Sequence, residues 1–499
     1  MLNLVNYQTM TKMTKYLSTL VLVLLCFSAH TQTKNKSFVV KKVNVEITPD
    51  GILDEQSWST ADQANDFWQY FPLDTVQSKK QTEIKMLYDD DNLYVGITVY
   101  TAGKDYSIQS LKRDFRAGNS DNITLLFDTF NDGNNAFLFG INPYGVRREG
   151  LVSGGGLNLN GFTISWDVKW RGDSKIYDDY YTAEMVIPLT AFKFKEGEKK
   201  WRFNSYRFDT QSNENSTWMN IPQNQNIYGL TFMGDMVFEK PLGKYSTPLT
   251  VIPYVNMISQ KDYELNDGNT NIKVGGDAKV AIGNITVNPD FSQVEVDDQI
   301  TNLTRFEVSL PEKRQFFIDN SDLFGSFGGG RDANPFFSRR IGIAKDTADN
   351  SIENKIIGGV RLSGKVTKSL RLGFLNLQTG EDLEENIASN NNTMLALQQS
   401  IFGRSNIGMF FINRQTFEDY EFQDSEDRYN RVAGIDYNLI SNNNIWNGKF
   451  YLHKSFAHNA GKANLSSGAF MQTWCILVKI LDLILVLFVE PIFLKQPPW

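Results

Sequence analysis

Glu83-Ile84-Lys85-Met86-Leu87-Tyr88, then Asp89-Asp90-Asp91-Asn92, then Leu93-Tyr94-Val95-Gly96-Ile97-Thr98-Val99-Tyr100 bring two β-type runs together across a turn of carboxylates and an amide. The alternation in each run is that of a half-buried strand. The Asp/Asn cluster supplies the turn, so the stretch reads as a β-hairpin. Similar runs recur at 122–127, 136–142, 165–170, 180–187 and 201–209, each bounded by turn chemistry. Many short antiparallel strands with turns between them predict a β-sandwich over residues 38–240.

Outward from this region, composition sets limits. The chain has 499 residues, too many for one hydrophobic core, and its 41% hydrophobic and 21% charged fractions are those of a folded protein. A 13% aromatic content favours β structure. Lys and Arg number 50 against 57 Asp and Glu, a net charge of -7, so no basic field draws in phosphate backbones and nucleic acid is not expected as a partner. Histidine occurs only at His30, His453 and His458, which leaves most of the chain without imidazole chemistry. The two cysteines, Cys26 and Cys475, lie at the extremes, which excludes a disulfide framework and a cysteine zinc site. A thiol-free body suits an oxidising compartment.

The ends differ from the body. Lys12 and Lys15 precede an apolar run, Tyr16 to Phe27, followed by Ser28-Ala29-His30-Thr31, so residues 1–31 read as a cleaved signal peptide and export is expected. Residues 475–494 turn apolar, but Lys479, Asp482, Glu490 and Pro491 interrupt them, which makes a poor membrane span. Residues 471–499 therefore read as an aberrant tail, a frameshifted or read-through end, with a C-terminal anchor as the alternative.

After Pro241-Leu242-Gly243 the alternating runs lengthen, at 249–256, 272–287, 356–364, 369–377, 407–413, 431–439 and 448–453. Strands of about 9–11 residues with an apolar outer face are those of a transmembrane β-barrel. A soluble β domain produces the same alternation.

Asp50-Gly51-Ile52-Leu53-Asp54-Glu55-Gln56-Ser57-Trp58, the hairpin, Ser120-Asp121-Asn122-Ile123-Thr124-Leu125-Leu126-Phe127-Asp128 and Ala183-Glu184-Met185-Val186-Ile187-Pro188 together resemble a family 9 carbohydrate-binding module of the DOMON-like sandwich type. Asn288-Pro289-Asp290-Phe291-Ser292-Gln293-Val294-Glu295-Val296-Asp297, Asn302 to Phe306, Leu310 to Phe317 and Asp322-Leu323-Phe324 are similar to the signature of a family of unknown function, DUF5916. Its members fuse such a module to a C-terminal outer-membrane barrel. The resemblance implies an all-β chain, with a β-barrel-like region at 241–470 that lacks the later strands of the family and so is a truncated member. It also implies a place in the Gram-negative envelope, with the sandwich periplasmic. Glu312, Lys313 and Arg314 beside Phe316 and Phe317 suit a segment that fills a barrel lumen, or alternatively a periplasmic strap.

The resemblance marks candidate site residues. Trp218 ends Asn213-Glu214-Asn215-Ser216-Thr217, a polar stretch where such modules place one aromatic wall of the sugar site. An exposed indole there would stack on a pyranose; loop packing is the other reading. A second aromatic, an acid and an arginine of the sugar-binding members are replaced here by Gly118, Thr124 and Gly140. Asp121, Arg113 and Asp114 ring the implied mouth, or are solvated surface. Trp58, beside Ile52 and Leu53, reads as core. Asp128, Asn131 and Asp132, with Asn134, carry the oxygen ligands of a calcium site or the composition of a turn. No other cofactor is expected.

These readings converge on a non-catalytic envelope protein that binds or passes a polysaccharide or oligosaccharide in carbohydrate catabolism, with outer-membrane lipid as its second partner. A hydrolase of O-glycosyl bonds is one alternative. It needs two carboxylates about 5–10 Å apart, and no acidic pair stands out. A protein-binding or transport component is the other.

Overall fold

The structure, a computed structural model, describes residues 36–474 apart from 45, 157–161, 165, 244–248, 263–266, 281–282, 290–311, 313, 319, 329–333, 346–350, 368, 403–404, 424–427, 442–445 and 458–465. The signal segment, most of the 288–317 signature and the tail from Cys475 lie outside these residues. Everything below belongs to one compact unit, Ser37–Trp499.

The first fourteen strands are β1 (Ser37–Lys42), β2 (Gln63–Ala64), β3 (Trp68–Phe71), β4 (Thr82–Tyr88), β5 (Asn92–Tyr100), β6 (Asn122–Asp128), β7 (Ala136–Ile141), β8 (Arg147–Val152), β9 (Phe162–Thr163), β10 (Arg171–Ile176), β11 (Tyr180–Pro188), β12 (Lys200–Asp209), β13 (Glu214–Thr217) and β14 (Gly234–Phe238). They form a sandwich. One face runs β10-β11-β5-β4, the other β14-β12-β6-β7-β8-β9. β1 joins them, pairing in parallel with β14 through residues 37–40 and with β4 through residues 41–42. The opening hairpin pairs Leu93 with Tyr88 and Val99 with Thr82, but it is not half-buried throughout, because Leu87 and Tyr94 pack into a second cluster with Ile47, Trp58 and Val186 on the face away from the main core. Ile84, Met86, Val95, Ile97 and Val99 of one sheet meet Ile123, Leu125, Phe127, Phe139 and Phe203 of the other. Burial of these side chains drives the association of the sheets, at roughly 25 cal/mol per Å² of apolar surface removed from water.

The second set is β15 (Thr250–Asp262), β16 (Asp267–Val280), β17 (Gly283–Val287), β18 (Ile343–Lys345), β19 (Ser351–Glu353), β20 (Ile356–Lys365), β21 (Leu370–Thr379), β22 (Asn391–Ile401), β23 (Ser405–Gln415), β24 (Tyr429–Ile440), β25 (Trp446–Ala457) and β26 (Ser466–Trp474). β18 and β19 make a separate hairpin, and the other ten form one antiparallel meander in chain order. Among the described residues this sheet is open and is not closed into a barrel.

Its two faces differ. On one, Met257 lies opposite Ile272, Ile285 opposite Val360, Phe374 opposite Leu362 and Leu395, Phe411 opposite Leu395, and Ile435 opposite Met409 and Leu452. Most of these side chains are exposed. On the other face the chain covers itself. Two helical turns, α1 (Gln315–Ile318) and α2 (Asp322–Gly325), and Phe327 just after them place Phe316, Phe317, Leu323, Phe324 and Phe327 against Leu375, Leu377, Met394, Ala396 and Phe410. Polar anchors fix the segment: Arg361 Nη1 donates to the Phe316 carbonyl at 2.5 Å, Arg371 Nη1 to Asp322 at 2.6 Å, and the Gly328 amide to Asp436 at 2.7 Å. The described part of the aromatic segment thus packs on the sheet face opposite the apolar band.

Candidate functional site

The strand pattern places Trp218 differently from its polar sequence context. Glu214 to Thr217 form β13 rather than a loop, and Thr217 pairs with Tyr206 of β12. Trp218, the next residue, turns to the opposite face, into the sandwich core. Its amide donates to the Ser205 carbonyl at 2.9 Å, and its ring meets Phe38 edge-on at 5.6 Å and Phe203 at 5.5 Å. At 2% exposure it offers no face to a sugar, so the expected aromatic wall is corrected to a core residue. Trp58, in a short 3-10 turn at Gln56–Thr60, is buried as read from the sequence.

Asp121 is also buried. It accepts from the Ser107 amide at 2.7 Å and from the Thr210 amide and hydroxyl at 2.8 and 2.5 Å, tying two loops together. Arg113 and Asp114 converge on Glu149 of β8. Arg113 ion-pairs with the Glu149 carboxylate and donates to the Val168 carbonyl at 2.8 Å, while Asp114 accepts from the Glu149 amide at 3.1 Å. The Trp170 indole donates to Glu149 at 3.0 Å. Burial pushes the Glu149 carboxyl up to about 7, opposed by these donors. The three predicted mouth residues therefore hold loops and strands in register, and none is free surface.

The 128–134 turn uses its own oxygens. Asp128 accepts from the amides of Phe130, Asp132 and Gly133 at 3.2, 3.4 and 2.8 Å, Asn131 donates to the Lys200 carbonyl at 2.6 Å, and Asp132 accepts from the Asn134 amide at 3.0 Å. Burial raises Asp128 to about 6. Among the described residues no group of three or more His, Cys, Asp or Glu side chains is placed to hold a metal ion. The geometry of this turn is that of an Asx-type loop. It touches the second sheet: the Asn406 amide donates to Asn134 at 2.9 Å, and Lys365 lies 3.8 Å from Asp132 and over the Phe130 ring.

Thr124 and Gly140, which the sequence reading puts in the implied site, lie beside Arg148, which it does not single out. On β6, β7 and β8 the residues facing away from the sandwich core line up as Thr124, Gly140 and Arg148. Because Gly140 has no side chain, the Arg148 stem lies across it: a Cβ at Gly140 would stand 2.8 Å from Arg148 Cγ and 2.8 Å from Thr124 Oγ1. The Arg148 guanidinium sits 5.6 Å from the Phe115 ring and 5.5 Å from the Phe162 ring. Thr124 donates to Asn122 at 3.1 Å, and Phe162 rests on Tyr228 at 5.7 Å. Thr124, Gly140, Arg148 and Phe115 are all buried, so the cluster is packed interior. The signal for it in the sequence was Gly140 on an otherwise apolar strand, Ala136-Phe137-Leu138-Phe139-Gly140-Ile141.

Residues 246–470 match the family model "Domain of unknown function (DUF5916)". No curated protein matches the chain. Among solved structures, a family 9 carbohydrate-binding module from Caldicellulosiruptor kristjanssonii in complex with cellotriose is 14% identical and covers 43% of this chain and 100% of its own, with a TM-score of 0.30. The same organism's family 9 module in complex with glucose is 16% identical, covering 43% and 99% with a TM-score of 0.28. A putative carbohydrate-binding protein from Bacteroides uniformis is 14% identical, covering 41% and 100% with a TM-score of 0.35.

Proposed function

We propose that this chain is an exported envelope protein in which a glycan-binding sandwich is held at the outer membrane by the lipid-facing side of its second sheet. The observation that carries the membrane part is the exposed apolar band that crosses the meander strand by strand, from Met257 and Ile272 to Ile435 and Leu452. The opposite face is already covered by the chain's own aromatic segment, so the band is the side left for an apolar solvent. Strands β20 to β25 run 10–12 residues, the span that a tilted strand needs to cross about 30 Å of hydrocarbon. The sandwich part rests on the ordered stretches Asp50–Trp58, Ser120–Asp128 and Ala183–Pro188, which resemble a family 9 carbohydrate-binding module.

Flotation tests the membrane part. Full-length chain folded in the presence of phospholipid vesicles should rise with them in a density gradient. The Ile435→Lys, Leu452→Lys double variant should lose most of that fraction, because a cation at mid-bilayer costs about 2–4 kcal/mol. Wild-type chain that stays in the aqueous layer would overturn this half of the proposal. Titration of the full chain in detergent with soluble oligosaccharides tests the other half.

A further inference from the structure

The outward face of the second sheet changes character along its strands. Its apolar band includes Phe411 of β23, Ile435 of β24 and Leu452 of β25, all exposed. Every second residue of a strand shares a face, so the band is followed on that face by Asn413 and Gln415 on β23, by Arg431 and Tyr429 on β24, and by Lys454 and Phe456 on β25. Register sets them side by side. Arg431 pairs with Asn413 and with Phe456, and Lys454 with Ala433. Arg431 and Lys454 are therefore diagonal neighbours on adjacent strands, a spacing of about 7–8 Å.

Only neutral groups hold the two cations. Arg431 donates through Nε to Asn413 at 2.9 Å and through Nη2 to Gln415 at 3.2 Å, with its guanidinium 4.3 Å from the Tyr429 ring. The exposed Lys454 ammonium lies 5.2 Å from the Phe456 ring. Among the described residues neither has a carboxylate partner, whereas Arg371, Lys449 and Arg428 pair with Asp322, Asp436 and Asp419. The carboxylates at this end of the sheet belong to the loops beyond the strands, where Glu381 accepts from the Tyr420 hydroxyl at 2.7 Å and Asp419 takes Arg428. Along the strands the order is thus apolar band, unpaired cations on aromatic rings, acidic loops. A strand that leaves a bilayer meets hydrocarbon, then phosphates, then water, and basic and aromatic side chains suit the middle layer. The amides of Asn413 and Gln415 orient the Arg431 fork in advance, and a guanidinium takes phosphate oxygens in pairs. We infer that Arg431 and Lys454 form a headgroup site on the outward face that takes the phosphate of an anionic lipid. This inference rests on the membrane reading of the second sheet and gives that sheet a lipid class and a depth.

The test floats the full chain with vesicles of phosphatidylcholine alone and with vesicles of phosphatidylcholine mixed with phosphatidylglycerol. Wild-type chain should bind the mixed vesicles at least about fivefold more tightly, and the preference should shrink as salt rises. The net charge of -7 opposes such a preference, so the preference reports a local site. The Arg431→Gln, Lys454→Gln double variant should lose it and still rise with phosphatidylcholine. If that variant does not fold, Lys454→Gln alone, at an exposed position, should weaken the preference. Inorganic phosphate at constant ionic strength should leave the preference in place; its loss would mean a site for free phosphate and overturns the lipid assignment. Equal binding to both kinds of vesicle, or a variant that keeps the full preference, overturns the inference and leaves the membrane reading standing. Wild-type chain that rises with neither removes both.

Discussion

Glu184 accepts hydrogen bonds from the Trp58 indole at 2.9 Å and from the amides of Asp50 and Gly51 at 3.2 and 3.1 Å, and burial still drives its carboxyl up to about 8. An unfolded glutamate loses its proton near its ordinary value of about 4.3. Between that pH and 8 the folded chain therefore holds the proton more tightly, and stability falls as pH rises through this window. Asp128, raised to about 6, acts in the same direction. Melts from pH 5 to pH 8 should show a falling midpoint, and Glu184→Gln should flatten the slope; a midpoint that climbs over this range contradicts the assignment. Trp218→Ala should cost about 3–5 kcal/mol, the range for deleting a buried aromatic, measured by denaturant unfolding. The two tryptophans also show what a sequence reveals at this scale. Trp58 was legible as core from its apolar neighbours Ile52 and Leu53. Trp218 was not, because Glu214 and Ser216 make its surroundings look solvated, whereas Glu214 is buried and accepts from Gln69 at 2.6 Å and from Ser78. Only the tertiary pairing of β13 with β12 and β3 satisfies such a polar strand, and no local pattern encodes that pairing.

Elements were more legible than residues. The hairpin at β4 and β5 and the long alternating runs of β20, β21, β23, β24 and β25 follow from a period of two, which fixes which side chains share a face once a strand exists, whereas the Asn- and Gln-rich β22 was not legible as a strand. The same period cannot say whether ten strands close on themselves, since closure depends on stagger and tilt along the whole sheet. Nor does it say which face the aromatic segment covers. That choice depends on small residues in the strands: a Cβ at Gly408 would stand 2.9 Å from Phe327 Cε1, and one at Gly373 would stand 2.9 Å from Phe324 Cζ. The two phenylalanines seat where the sheet has no side chain. Gly408→Val should therefore lift Phe327 and loosen the hydrogen bond from the Gly328 amide to Asp436. Hydrogen exchange at 326–328 should speed up in this variant while the sandwich amides keep their protection. Unchanged exchange there would mean that the segment is held by its polar anchors alone.

At the scale of the whole molecule, Pro241-Leu242-Gly243 marks where the strand pattern changes, but side chains cross it. Ile318 of α1 is buried in the main sandwich core beside residues of β1 to β14. Lys193 donates to Asn320 at 3.4 Å, and the 128–134 turn meets Lys365 and Asn406. A boundary read from composition misses such contacts because they join positions far apart in sequence and leave no periodic trace. The sandwich still encloses most of its own core, so residues 38–240 alone should fold and melt cooperatively, but at a lower temperature than the same strands do in the full chain. Ile318→Ala in the full chain should reproduce much of that loss, about 2–5 kcal/mol for a buried isoleucine, although the residue lies outside the sandwich strands. Tryptophan fluorescence follows the transition, since Trp58, Trp166, Trp170, Trp201 and Trp218 are all buried in the sandwich. If the fragment and the full chain share one midpoint, and Ile318→Ala leaves it in place, the contacts across residue 241 contribute nothing to the sandwich. Glycan binding could then be measured on the fragment alone. If the midpoint drops as expected, the helical turn that covers the second sheet also caps the sandwich, and displacing that turn from either side should be felt on the other.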